Sequence, residues 1–137
     1  IKENNKREAI YKFSMMMINV PYLWGGKSIY GYDCSGFVQT IFRAAKINIP
    51  RDSKDQYMFL KKSNKNKTCD NPQSGDLIFF SKKDKIISHV AIYLKDQLFI
   101  HSAGNVKINS FNDNDLVFDF ELNQFLISIY SIDSILN

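Results

Sequence analysis

One cysteine and two histidines carry the most chemical information in this chain of 137 residues. Cys34 directly follows Asp33 in the segment YDCSGF, and aspartate often begins a helix by accepting hydrogen bonds from its first backbone N–H groups. A cysteine in that first turn is more easily ionised because the helix dipole favours negative charge, and the same N–H groups can stabilise a neighbouring oxyanion. Cysteine is also a common small buried residue, so this segment alone leaves a purely structural role open.

The two histidines flank a predicted hairpin in the second half of the chain. His89 begins the segment HVAIY and His101 ends the segment LFIH, with the polar residues 95–97 between them. A three-residue loop at 95–97 places Tyr93 opposite Phe99. The alternation of side chains then puts both histidines on one face as diagonal neighbours, whereas a two-residue loop would put them on opposite faces.

This combination of residue types predicts nucleophilic catalysis. One imidazole can take the proton of the thiol while a third polar group orients that imidazole. The sharpest alternative is a zinc site with Cys34, His89 and His101 as three ligands and an open position for water. Against that alternative, no acidic residue lies beside this set in the way that the general base of a zinc hydrolase would, and there is no HExxH-like spacing. A third interpretation is two unrelated histidines, each held by local hydrogen bonds.

The apolar pattern predicts helices first and strands afterwards, an α+β arrangement in a single domain spanning residues 1–137. We expect helices over 6–20, from Asp33 onward, and from Ser53, where Gln56 completes a capping-box pattern. Short runs rich in Ile, Val, Phe and Tyr predict the strands of a meandering sheet: Asp76–Phe80, His89–Leu94, Leu98–Ser102, Val106–Ser110 and Ile127–Ile132.

The net charge of +4 and the pI of about 9.0 favour anionic partners. Most of the excess lies in Lys2–Arg7 and Lys61–Lys67, and neither run has the interleaved aromatic residues of a single-strand binding surface. We therefore expect no nucleic-acid partner. The longest apolar run is too short for a transmembrane helix. Separately, we expect a monomer.

Six segments resemble, in the same order, the sequence blocks of the NlpC/P60 family of cell-wall peptidases. They are Tyr22–Gly26, Asp33–Phe37, Arg51–Gln56, Gly75–Phe80, His89–Tyr93 and Ile100–Ser102. A lone DCSG segment would be a weak signal, but six blocks in order are specific. The resemblance implies a papain-like α+β fold in which N-terminal helices pack on a small antiparallel sheet.

The resemblance also implies roles for individual residues. Cys34 would be the nucleophile, His89 its base and His101 the group that orients His89. Tyr22 would lie beside the nucleophile and assist near the oxyanion.

Substrate contacts are implied for four further residues. Asp33 and Ser35 would help to hold the free amine of a stem peptide, although Asp33 could serve only as a helix cap. Trp24 and Arg51 belong to blocks that border the groove. We interpret Gln56 first as a capping residue.

The resemblance implies hydrolysis of the bond between D-γ-glutamate and the diamino acid of peptidoglycan stem peptides, without a metal or organic cofactor. It also implies a location in the bacterial cell envelope, whether periplasmic, lipid-anchored or secreted. Two alternatives share the fold: an exported peptidoglycan amidase that acts as a toxin, and a non-catalytic module that binds wall peptides. We assign no role to Cys69.

Overall fold

The three longer helices precede the strands of the main sheet, so the predicted α+β fold class is confirmed. The computed structural model describes residues 3–21, 23, 25–28, 31–81 and 86–136. The helices are α1 (Glu3–Met16), α2 (Cys34–Ala44), α3 (Ser53–Ser63) and the short α4 (Phe120–Gln124), with a 3-10 turn at Asp133–Ile135. The strands are β1 (Lys27–Ser28), β2 (Gly31–Tyr32), β3 (Leu77–Phe80), β4 (His89–Lys95), β5 (Leu98–Ala103), β6 (Asn105–Ser110) and β7 (Leu126–Tyr130).

The first helix ends four residues earlier than the predicted range of 6–20. Asn19 has a φ of 76°, a left-handed conformation that cannot continue an α-helix. The backbone N–H of Asn19 donates to the carbonyl of Val106, and the N–H of Val106 donates to the carbonyl of Val20. Backbone hydrogen bonds to β6 therefore replace the last turn of the predicted helix.

The third helix begins at Ser53 as predicted, but its predicted capping box is wrong. The N-cap is Asp52, which makes no side-chain capping bond. Gln56 is fully buried, and its Nε2 donates to the backbone carbonyls of Ser35 and Pro50. Gln56 therefore joins α3 to the start of α2 instead of closing its own helix.

The main sheet has five antiparallel strands in the order β6-β5-β4-β3-β7. The first four strands form the predicted meander. The last strand departs from the meander. After β6 the chain crosses to the opposite edge of the sheet, where β7 pairs with β3. The intervening residues 111–125 therefore run along one face of the sheet.

The hairpin between β4 and β5 has the predicted register but a different turn. Tyr93 pairs with Phe99 as expected, yet Lys95 pairs with Leu98, which leaves a two-residue loop. Asp96 and Gln97 both have positive φ, 51° and 66°, as in a type I′ turn. The register shift between Tyr93 and Lys95 is a β-bulge, and its extra residue on β4 restores the register that a longer loop would have produced.

Each face of the sheet has its own cover. Helices α1, α2 and α3 pack on one face around Phe79, Val90 and Ile92. The other face carries a smaller apolar cluster, which residues 111–125 cover. Its members are Ile78, Phe80, Ala91, Tyr93 and Phe99, packed against Phe111, Leu122, Phe125 and Ile129.

An ion-pair cluster, buried at Arg7 and Asp76 and exposed at Asp133, fixes α1 to the strands. Arg7 Nη1 lies 3.0 Å from Asp76 Oδ1 and donates to the carbonyl of Ser74, while Arg7 Nη2 lies 2.7 Å from Asp133 Oδ1. Asp76 also accepts from the backbone N–H of Ile132. The cluster thus joins the first helix, the start of β3 and the C-terminal turn.

Across the part of the chain that the structure describes, no helix has the length and apolar character that spanning a bilayer requires.

Candidate active site

The start of α2 has the predicted geometry. Asp33 is the N-cap in an extended conformation, and its Oδ1 accepts from the backbone N–H of Gly36 at 2.6 Å. Cys34 is therefore the first helical residue, at the end of the helix where the dipole is positive. The helix is held to the sheet by the apolar residues Phe37, Val38, Ile41, Phe42 and Ala45, all buried.

Gly36 lets the loop before α2 approach the first turn closely. A Cβ at this position would collide with the carbonyl oxygen of Gly26 and would lie 2.7 Å from Asp33 Oδ1. The carbonyl of Gly26 also accepts from the backbone N–H of Asp33. Gly26 and Gly36 therefore serve close packing beside Cys34.

The sulfur of Cys34 lies against the backbone that flanks His89. Cys34 Sγ is 4.0 Å from the carbonyl oxygen of Ser88, and the N–H of Val90 is hydrogen-bonded towards the sulfur. Burial raises the pKa of the Cys34 thiol above its ordinary value, contrary to the expectation that a cysteine at a helix start is more easily ionised, and the Asp33 carboxylate raises it further. Hydrogen bonds from nearby backbone N–H groups oppose this rise in pKa. Cys34 as a whole residue is 9% exposed, so only a small part of it is accessible to a ligand.

The two histidines are in contact, as the predicted register requires. His89 Nε2 lies 2.8 Å from His101 Nδ1, and the ring centroids are 5.0 Å apart at a steep angle. Both residues lie on the sheet face away from α2, where Phe80 packs on the His89 ring and Phe99 on the His101 ring. His89 is half-buried, whereas His101 is 1% exposed.

Asn109 extends this contact by a third side chain that sequence reasoning missed. Its Oδ1 lies 2.7 Å from His101 Nε2. Asn109 is on β6 opposite Phe99, so it shares a face with His101 and lies diagonal to it. The signal was available, because alternation along β5 and β6 across the Gly104 turn gives the same placement.

Burial also controls the protonation of His101. The pKa of His101 is lowered from 6.5 to about 4, mainly by removal from water and in smaller part by the charge of nearby Lys107. The hydrogen bond to Asn109 and the charge of Asp119 act in the opposite direction. His101 is therefore neutral at neutral pH.

The other predicted contact residues form a polar cluster beside Cys34. Arg51 Nη1 and Nη2 lie 3.0 and 2.8 Å from the two carboxylate oxygens of Asp33, and Nη1 also donates to Ser35 Oγ. Asp33 thus caps the helix and binds an arginine at the same time. Tyr22 and Trp24, the remaining predicted site residues, lie outside the described residues.

Two cavities meet at this constellation. One, of about 390 Å³, lies beside Cys34 and is lined by Gly25, Asp33, Cys34, Ser35, Arg51, Asp52, Ser53 and Ser88. The other, of about 320 Å³, has both histidines in its wall and is lined also by Phe80, Ser88, Ala103, Asp119, Glu121, Leu122 and Phe125. Ser88 borders both cavities, so a ligand that fills both would pass the Cys34 sulfur.

The geometry does not resemble a zinc site. His89 Nε2 and His101 Nδ1 face each other at hydrogen-bond distance, whereas two ligands of one metal ion would direct both nitrogens at the ion. Within the described residues, no group of three or more His, Cys, Asp or Glu is arranged to hold a metal ion.

Comparison with known proteins identifies the family. The NlpC/P60 family profile matches residues 19–117. The chain is 37% identical over 103 residues to a gamma-D-glutamyl-L-lysine dipeptidyl-peptidase of Bacillus subtilis (strain 168), an alignment that covers 74% of this chain and 33% of that protein. It is 33% identical over 134 residues to dipeptidyl-peptidase 6 of Lysinibacillus sphaericus, covering 96% of this chain and 46% of that one.

A solved structure agrees with these sequence matches. The crystal structure of an NlpC/P60 family protein from Bacillus cereus ATCC 10987 superimposes with a TM-score of 0.75 at 30% identity, covering 91% of this chain and 39% of that one. The chain belongs to the NlpC/P60 family. It spans a third to just under half of the length of these relatives.

Proposed function

We propose that this protein is a cysteine peptidase that hydrolyses an amide bond in the stem peptides of bacterial peptidoglycan. The observation that carries the proposal is the 2.8 Å hydrogen bond between His89 Nε2 and His101 Nδ1, at the strand end whose backbone contacts the Cys34 sulfur. A helix-start cysteine, an imidazole and a buried group that orients the imidazole are the parts that thiol hydrolysis needs.

The bond between D-γ-glutamate and a diamino acid is the proposed point of cleavage. Support comes from the Bacillus subtilis relative, whose name specifies a γ-D-glutamyl-L-lysine linkage, and from the shared family. Such a substrate lies in the bacterial cell envelope, and we propose that location for the protein. The pI of about 9.0 is compatible with an anionic wall.

In the proposed mechanism, the Cys34 sulfur adds to the amide carbonyl while His89 Nδ1 takes the thiol proton. Because burial raises the pKa of the thiol, we expect this proton to leave during attack and not beforehand. The backbone N–H of Cys34, and Tyr22 by family likeness, would stabilise the oxyanion. When the carbon–nitrogen bond breaks, His89 returns the proton to the leaving amine and a thioester remains on Cys34.

Water then completes the reaction. His89 takes a proton from the water that attacks the thioester, the acid product leaves, and Cys34 recovers its proton. No cofactor is needed for either step. Throughout, His101 remains neutral and keeps the ring of His89 in a fixed orientation.

The two cavities match the two halves of such a substrate. The acyl half, which becomes bonded to Cys34, would occupy the cavity lined by Asp33, Arg51 and Asp52. Two carboxylates against one guanidinium leave that cavity with a net negative charge, which suits the free amine of a stem peptide. The leaving diamino acid would occupy the cavity beside His89, the residue that protonates it.

The test is digestion of purified peptidoglycan fragments of both diamino-acid types, with products identified by mass spectrometry. We expect the parent protein to release products cut after D-γ-glutamate and Cys34→Ala to release none. Cys69→Ala is a matched control, because Cys69 is a half-buried thiol in the loop before β3, bonded to Asp76 and outside both cavities. Retained cleavage by Cys34→Ala would refute the proposal, as would loss of cleavage in Cys69→Ala with an unchanged fold.

A further inference from the structure

The hydrogen bonds that run from His89 through His101 and Asn109 end on a backbone carbonyl. This fixes which atom donates in each of these hydrogen bonds. Asn109 Nδ2 lies 2.8 Å from the carbonyl oxygen of Val117, which can only accept. The amide oxygen of Asn109 must therefore point the other way, towards His101. Val117 is itself held in place, because its carbonyl also accepts from the backbone N–H of Ser110.

The donor and acceptor in each further hydrogen bond follow from the orientation of the Asn109 amide. Because Asn109 Oδ1 only accepts, His101 Nε2 must carry a proton. In neutral His101, Nδ1 is then an acceptor, so His89 Nε2 must carry the proton shared between them. This leaves Nδ1 of neutral His89 as the nitrogen without a proton, and that nitrogen can take the proton of a thiol.

We propose that Asn109 is a positioning residue that fixes the tautomers of His101 and His89 and thereby makes His89 Nδ1 the base. The proposal rests on the proposed function for its catalytic consequence, but the tautomers themselves do not. The opposite orientation of the Asn109 amide would set its oxygen against the Val117 carbonyl and its NH₂ group against the protonated Nε2 of His101. The first contact would place two hydrogen-bond acceptors together, and the second would place two donors together.

The surroundings of His101 are compatible with this role. The charged or titratable groups near it are His89 on β4, Lys107 on β6 and Asp119 just before α4. Burial keeps His101 neutral, which it must be for Nδ1 to accept from His89. Protonated His101 would donate from both nitrogens and would reverse the bond to His89.

Two substitutions distinguish an effect of Asn109 on the histidine tautomers from an effect of its packing. Asn109→Leu keeps approximate shape but removes the acceptor and the link to Val117. Asn109→Asp keeps an acceptor for His101 Nε2 and adds a charge that raises the pKa of His101. We expect kcat to fall about 10- to 100-fold in Asn109→Leu with KM little changed, as for other groups that orient a functional imidazole. Asn109→Asp should retain more activity, with its loss on acidification moved to higher pH.

Ser110→Ala is the matched control. Ser110 is the next residue on β6, is 1% exposed, and its hydroxyl donates to Asp115 and accepts from the N–H of Asn112. This variant loses two hydrogen bonds of the same segment without touching His101. If Ser110→Ala lowers kcat as much as Asn109→Leu, the effect is general loosening of residues 110–117 and the proposal is wrong.

The closing experiment is ¹⁵N nuclear magnetic resonance of the histidine side chains in the parent, Asn109→Leu and Ser110→Ala proteins. We expect the parent and Ser110→Ala to show His101 and His89 both protonated at Nε2, and Asn109→Leu to show mixed tautomers. A parent with the proton on Nδ1 of either ring, or Asn109→Leu with tautomers like the parent's, overturns the proposal. This readout needs no turnover, so it separates failure of the Asn109 role from failure of the proposed peptidase activity.

Discussion

Two regions border the two cavities that meet at the candidate site: the first turn of α2, and the ends of β4 and β5 that carry the histidines. These regions hold their side chains by different means. Cys34 is positioned by packing and capping, through the Asp33 cap and the close contact of Gly36 with Gly26. His89 is positioned by a line of hydrogen bonds that runs through His101 to Asn109. Packing fixes where an atom lies, whereas a hydrogen-bond chain also fixes which nitrogen carries a proton. Variants of the two regions should therefore fail in different ways.

Among variants that keep Cys34, the largest expected effect is at His89, the proposed base. We predict that His89→Ala lowers kcat/KM by about 10²- to 10⁴-fold, the usual contribution of general acid–base catalysis. His101→Ala should be milder, about 10- to 100-fold, because the orientation of the base is lost and not the base. The measurement is steady-state hydrolysis of a defined stem peptide, with circular dichroism to confirm the fold. Equal and complete loss in two folded variants would contradict this order and favour metal ligation.

A second prediction concerns stability, because neutral His101 is buried. The pKa of His101 is about 4 in the folded protein and 6.5 when solvated, so the unfolded chain binds the proton first as pH falls. The contribution of neutral His101 to the free energy of unfolding is complete above about pH 6.5. It is lost as pH falls towards about 4, which lowers the free energy of unfolding by about 3 kcal/mol.

Urea unfolding of the parent and His101→Asn at neutral pH and near pH 4 measures this difference. The parent should lose about 3 kcal/mol more than the variant over that interval. Equal losses would mean that His101 is already protonated in the folded protein at mildly acidic pH.

A third prediction tests packing on the nucleophile side. In an unobstructed helix, replacing glycine by alanine stabilises by about 1 kcal/mol. At Gly36 we expect the opposite sign, a loss of about 1–3 kcal/mol, because the added Cβ would collide with the carbonyl oxygen of Gly26. Thermal or urea unfolding of Gly36→Ala gives the sign directly, and stabilisation would show that the contact does not hold the first turn.

The smallest expected effect belongs to the partly exposed Arg51–Asp33 pair. The Arg51 side chain is 30% exposed, and such pairs contribute at most about 1 kcal/mol. We predict that Arg51→Gln changes stability by less than about 1 kcal/mol and raises KM more than it lowers kcat, because the residue lines the cavity beside Cys34. A fall in kcat as large as that of His101→Ala, at constant KM, would place Arg51 with the base and not with the substrate.

The contrast between the two regions also explains what sequence could predict. The Asp33 cap and the position of Cys34 are local, and residue types within four positions were sufficient. The histidine pair required a register, and the register was right although the turn was wrong, since a bulge between Tyr93 and Lys95 compensates for the shorter loop. Bulges have no reliable local signal, so this agreement depended on the tertiary structure.

Contacts distant in sequence were the ones missed. Gln56 was interpreted as a cap because Ser53 precedes it by three residues, but burial against Ser35 and Pro50 decides its role. The register of β5 and β6 places Asn109 beside His101, but nothing about an asparagine in a strand marks it as functional. The crossing of residues 111–125 to place β7 beside β3 likewise depends on covering an apolar face, which neighbouring residues alone do not reveal.

The central claim, that Cys34 is the nucleophile served by His89, is tested most directly by an affinity label. A chloromethyl ketone built on γ-linked D-glutamate should alkylate one thiol, and peptide mapping by mass spectrometry should place the label on Cys34 alone. Labelling should be absent in Cys34→Ala, unchanged in Cys69→Ala and much slower in His89→Ala. A label on another residue, or full hydrolytic activity in protein whose Cys34 is completely alkylated, would contradict the account.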